Sequence, residues 1–120
     1  MKIASTVLFL LTAALPLNAT ERLALRVSPM VSFAPAFVRI EAMIERDDNN
    51  RLLTVIAEST DFYRSSEISL NGANSPRVNV FNFRELPTGT YQVTGILLDR
   101  LGHRSAATKV VRVAPSAGAR

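Results

Sequence analysis

His103 is the one histidine in a chain of 120 residues that has no cysteine. Nucleophilic catalysis needs a base beside the nucleophile. A serine–histidine–aspartate set built on His103 would need a serine carried to it and an oxyanion hole, and no Gly-x-Ser-x-Gly is present. One histidine without cysteine is also a poor ligand set for zinc. His103 follows Gly102 between two alternating segments, the place of a solvated turn residue. No catalytic residue, metal or cofactor is expected, and the chain reads as a non-enzyme.

The carboxylates form a second candidate constellation. Asp47 and Asp48 lie in one turn and Asp99 at the end of a later segment. Brought together, two carboxylates can share acid–base work. With Asn49 and Asn50 they can offer oxygen ligands to Ca²⁺. The spacing fits no EF-hand loop, however, and Asp and Asn are what a tight turn prefers, because their side chains bond the local backbone. Arg46, Arg51, Arg100 and Arg104 crowd the same end and would neutralise the acids. A third candidate is Asp61-Phe62-Tyr63-Arg64-Ser65-Ser66, where two adjacent aromatics form either a recognition tip or an anchor into the core.

The elements that position these residues alternate with period two. Val38, Ile40, Ala42 and Ile44 interleave with Arg39, Glu41, Met43 and Glu45, the pattern of a half-buried strand. Strands are expected over 22–30, 37–45, 52–58, 67–70, 78–83, 91–99 and 107–114, with turn clusters at 47–50, 71–76, 86–89 and 101–103. Seven strands at this spacing predict an all-β, seven-stranded antiparallel sandwich, with a small barrel as the alternative. Before it, Lys2 and the uncharged run Ile3–Leu17 have the layout of a signal peptide ending near Ala19. Fifteen helical residues reach only about 22 Å, short of a roughly 30 Å membrane core. The expected organisation is a leader over 1–19, a sandwich over 20–114 and a tail over 115–120, exported to the periplasm or the medium with no stable membrane span after cleavage.

The stretch Glu85-Leu86-Pro87-Thr88-Gly89-Thr90-Tyr91 superficially suggests a wall-sorting signal, but Gly89 precedes Thr90 and a strand follows, so the order is wrong. A strand corner accounts for it better. Leu86 caps the core, Pro87 fixes φ, Gly89 permits a positive φ, and Tyr91 opens the next strand. In immunoglobulin-type sandwiches a tyrosine here bonds backwards to the chain a few residues upstream. With Val93, Asp99, Gly102, Val111 and Val113, these residues resemble the last two strands of bacterial immunoglobulin-like and fibronectin type III-like domains, over residues 86–113. The resemblance implies a role in adhesion, spacing or docking, and no activity.

On that fold, 52–58, 91–99 and 107–114 are neighbours. Their inward parity takes Leu53, Val55, Ala57, Tyr91, Val93, Leu97, Val111 and Val113. Leu52, Ile56, Ile96, Leu98 and Val110 are then left outside as one apolar patch, unless a bulge swaps a face or Arg112 and the 59–66 segment cover it. Such a patch usually marks a partner. Protein–protein interaction or self-association is therefore expected through it, or carbohydrate or small-ligand binding through Phe62 and Tyr63. Formal charge is +4, or +3 without Lys2, and twelve of the fourteen basic residues are arginines spread along the chain. With no basic block interleaved with aromatics, nucleic acid is not an expected partner.

Overall fold

The computed structural model describes residues 22–116. The expected leader over 1–19 lies outside the described residues, as do positions 117–120 of the tail. The chain forms β1 (Leu23–Ser28), β2 (Val31–Phe33), β3 (Ala36–Ile44), β4 (Asn50–Glu58), β5 (Tyr63–Ser69), a 3-10 turn (Gly72–Asn74), β6 (Val78–Leu86), β7 (Gly89–Asp99) and β8 (Arg104–Ala114). They build two sheets, ordered β1-β3-β6 and β2-β8-β7-β4-β5. The all-β, two-sheet class is the one the alternation implies. Among the described residues no helix is long and apolar enough to cross a membrane.

Two elements differ from the sequence reading. The segment 22–30 is not one strand. It breaks at Pro29, leaves the first sheet and continues as β2, which pairs parallel with β8 (Val31 beside Arg112). Every other pairing is antiparallel. The 63–66 stretch, expected to be irregular, is strand: Tyr63 to Ser66 pair with Glu58 to Val55. Neighbouring β4 supplies the order that Arg-Ser-Ser does not supply by propensity.

The core lies between the sheets. Val38, Ile40 and Ala42 of β3 face Leu53, Val55, Ala57, Tyr91, Val93, Val111 and Val113, each at most 1% exposed. Gly95 shows how close the layers run. It is buried and in continuous register, so it marks no bulge. An added Cβ would lie 3.0 Å from Leu25 Cδ2 and 3.2 Å from Leu23 Cδ2 of the opposite sheet. Gly89 serves the corner as expected, with a positive φ of 158° that L side chains rarely adopt, and by size also: a Cβ would meet the Ser59 side chain at 3.3 Å. Tyr91 is fully buried and its hydroxyl donates to the Pro87 carbonyl at 2.6 Å. Burial pushes its pKa up, partly offset by the Ser59 hydroxyl and the Arg64 charge. The phenol therefore stays a donor at neutral pH.

Tyr91→Phe removes that donor and leaves a carbonyl without its partner; it is expected to cost about 1–3 kcal/mol, read from the urea midpoint. Gly95→Val forces a branched side chain against Leu23 and Leu25; a loss of about 1–3 kcal/mol is expected. No loss would mean that the sheets separate freely at that point.

Candidate functional site

Three places hold the residues singled out above. At the β3–β4/β7–β8 loop end the acids do converge. Asp99, 6% exposed, ends β7, and its Oδ1 accepts the amides of Leu101 and His103, both at 2.9 Å. Its Oδ2 lies 3.3 Å from His103 Nδ1, while the His103 side chain is itself largely exposed. Burial raises the Asp99 pKa, but the His103 and Leu101 amides and the His103 ring outweigh it and hold the carboxyl below its usual value. Arg22 spans the cluster, 3.1 Å from Asp47, 3.6 Å from Glu45 and 3.9 Å from Asp99.

The neutralising arginine is therefore Arg22, not the expected group of Arg46, Arg51, Arg100 and Arg104. Arg51 instead donates to the Asp48 and Asn50 carbonyls at 2.7 Å, and Arg100 to Asn49 Oδ1 at 2.7 Å. Asp47 Oδ1 accepts the Asn49 amide at 2.8 Å, a local Asx turn. Buried Asn50 donates to the Glu45 carbonyl at 2.9 Å, and its Oδ1 has no partner. Among the described residues no group of three or more His, Cys, Asp or Glu is arranged to hold a metal ion. Arg22 was missed because nothing local flags it: it meets the acids only through the β1–β3 register, where its carbonyl accepts the Glu45 amide at 2.8 Å.

The second place is the outer face of the five-stranded sheet. Leu52 stands directly beside Leu98, Thr54 beside Ile96, and Ile56 beside Thr94, without a break in register. Leu52, Leu98, Ile96 and Ile56 thus follow one another along one diagonal band, all partly exposed. No bulge swaps a face here. The 63–66 stretch lies in the plane of the sheet beside β4, and Arg112 pairs with Thr90 at the far end, so neither covers the band. Val110 is separate from it. It is half-exposed beside Gln92, beyond the rung where the Thr94 and Thr108 hydroxyls approach to 3.4 Å.

The third place splits the aromatic pair. Phe62 packs against the core, edge-on to Tyr91 at 6.1 Å and 77°, with the Arg64 guanidinium 5.0 Å over its ring. Tyr63 is 60% exposed. Phe62 also lines an open apolar cleft of about 720 Å³ with Ala34, Pro35, Pro87 and Pro115, and Glu85 on its wall. The cleft lies at the end opposite the acids.

No protein-family model matches the chain, and no curated protein matches it. Its fold is similar to solved structures. A variant of the superoxide reductase (neelaredoxin) from Ignicoccus hospitalis aligns with a TM-score of 0.63 at 11% identity, over 78% of this chain and 82% of that one. A family 76 glycoside hydrolase from a bovine Bacteroides thetaiotaomicron strain aligns at 0.54 and 14% identity, over 79% of this chain and 21% of that one. The chain has a β-sandwich fold. At such identities the likeness carries the architecture and nothing of either reaction.

Because the Asp99 pKa is lowered on folding, its contribution is present above the ordinary carboxylate pKa of about 4 and is lost as pH falls through the folded value. Asp99→Asn is expected to lower the melting temperature at pH 7, with the gap from wild type narrowing below about pH 4. A gap that is constant with pH would show that the charge of Asp99 is not what holds the loop.

Proposed function

We propose that this chain is an exported, non-catalytic sandwich of the immunoglobulin-like kind that docks onto another protein as an accessory or structural module. One observation carries the reading: the continuous band Leu52–Leu98–Ile96–Ile56 on the open face of the five-stranded sheet. The β1–β3 part of the opposite face is dressed differently. There Glu41 pairs with Arg26 at 3.5 Å and with Arg39 at 3.1 Å. Val80 and Val78 of β6 lie exposed next to these pairs, so the contrast is confined to β1 and β3; a band of apolar residues running across two interior strands is a surface suited to docking. The loop-end acids favour a non-catalytic role, since arginine and backbone amides already occupy their oxygens. The leader-like residues 1–19 favour export.

The alternative is a carbohydrate- or small-ligand-binding module. What favours it is the cleft walled by Phe62, Pro35, Pro87 and Pro115, a shape suited to a small apolar group. Ligand-induced shifts at the Phe62 and Thr88 amides, with Ile96 unmoved, would move the function there.

The deciding experiment compares retained partners of the tagged chain with those of Ile96→Lys and Arg26→Glu. A partner held by wild type and Arg26→Glu, and weakened at least about tenfold by Ile96→Lys, is expected. Binding indifferent to Ile96→Lys would take docking off this face.

A further inference from the structure

The edges of the two sheets are not equally protected. β1 lies against β8, β2 is only three residues long, and β5 exposes Tyr63, Ser65, Glu67 and Ser69. β6 closes the three-stranded sheet on the far side with nine residues. The Ile44 amide donates to the Arg77 carbonyl at 2.8 Å, and the register runs on through Met43–Val78 to Val38–Phe83. Antiparallel alternation then points the peptide groups of Asn79, Phe81 and Phe83 at β3, and those of Val78, Val80 and Asn82 away from it. Arg84 belongs to the outward set, but its carbonyl accepts Arg64 Nη1 at 2.5 Å, which closes that end. Edges are ordinarily blocked by charge, proline or a bulge. Residues 78–83 contain neither a charge nor a proline, and the register break falls after them, opposite Glu85 with its φ of 56°. Val78 and Val80 stand 51% and 42% exposed along this edge.

We infer that a second copy of this chain pairs antiparallel along β6, joining two three-stranded sheets into one. The edge is self-complementary. With the two-fold axis at Val80, Val80 meets Val80 and Val78 meets Asn82, giving about six backbone hydrogen bonds while Arg84 stays with Arg64. No like charges are set directly opposite. Arg77 immediately precedes β6 and Glu85 lies near its other end, past the register break, so the antiparallel arrangement turns the Arg77 end of each copy toward the Glu85 end of the other. An arbitrary extended peptide would supply the hydrogen bonds but not this pair of charges. The surface belongs to the three-stranded sheet, so the inference is independent of docking on the five-stranded one.

The test is sedimentation of the full purified chain from about 10 µM to 1 mM, the range expected for a small interface. It is joined by single-cysteine cross-linking, which a cysteine-free chain makes unambiguous. Wild type is expected to dimerise with concentration. Val80→Pro removes only an outward amide, so it is expected to keep its fold and raise the dissociation constant at least about tenfold. Val80→Lys serves as the second variant should proline disturb the strand. Val80→Cys is expected to form a disulfide dimer, because facing residues about 5.5 Å apart suit the bond, and Ile96→Cys is not. A monomer throughout, or cross-linking at Ile96→Cys alone, overturns edge pairing. A monomer whose partner remains sensitive to Ile96→Lys overturns this inference only. A β6 dimer with no such partner supports it and overturns only the docking reading.

Discussion

The two sheets are held together chiefly by apolar contact, with polar bridges between them only at the ends, such as Asn50 to the Glu45 carbonyl and Arg64 to the Arg84 carbonyl. With no cysteine in the chain, no covalent strut joins β3 to β7, and the layers must close on each other by shape. Gly95 is where that requirement is sharpest: the leucines of β1 rest on its bare backbone, and a single methyl would stand 3.0 Å from Leu25 Cδ2, inside ordinary contact distance. The dense filling on both sides of this point leaves Ile40, Leu53, Val55 and Val93 almost without solvent. The two ends of the sandwich cannot be filled the same way, because chain turns there carry polar backbone. Each is closed by polar side chains turned to the backbone, among them Tyr91 onto Pro87 at one end and Asp99 onto Leu101 and His103, with Asn50 onto Glu45, at the other.

This division also accounts for how the acids at the loop end are held. Asp47, Glu45 and Asp99 are gathered by the register of three strands, and Arg22 arrives from the fourth to balance them. A cluster of carboxylates is chemically open only when its oxygens are free. Here the oxygens of Asp47 and Asp99 face amides and a guanidinium. The geometry that shapes the turns is thus the geometry that engages the Asp47 and Asp99 oxygens.

The fold was legible where side chains alternate and obscure where neighbours decide. The parity of β3, β4, β7 and β8 could be read directly, since a one-residue slip would bury Arg39 or expose Leu53. The corner at Leu86–Tyr91 was legible because proline, glycine and tyrosine each have few conformational alternatives. The break of the first strand at Pro29 was not, because a switch between sheets depends on which strand waits on the other side, in this case β8. β5 was half hidden: Arg64-Ser65-Ser66 has no strand propensity to show, and its order comes from β4. Of the outer patch, Leu52, Ile56, Ile96 and Leu98 followed from parity, while the separation of Val110 followed from a register that spacing alone does not give. Arg22 was invisible for the same reason.

Surface follows from architecture in a way that bears on function. A strand in the middle of a sheet can offer a partner only its side chains, whereas a strand at the rim can also offer its peptide groups. The five-stranded sheet places its apolar band on β4 and β7, two interior strands, so contact there is by side-chain packing and is sensitive to shape. The three-stranded sheet ends in β6, whose neutral stretch offers backbone, and backbone pairing is tolerant of side-chain identity but strict in register. The two surfaces belong to different sheets and face different directions, so occupying one leaves the other accessible. A β6 pair would therefore present its two apolar bands outward, doubling the valence of the docking face without altering it, and the gain in binding would come from linkage of two equal sites and not from any new contact.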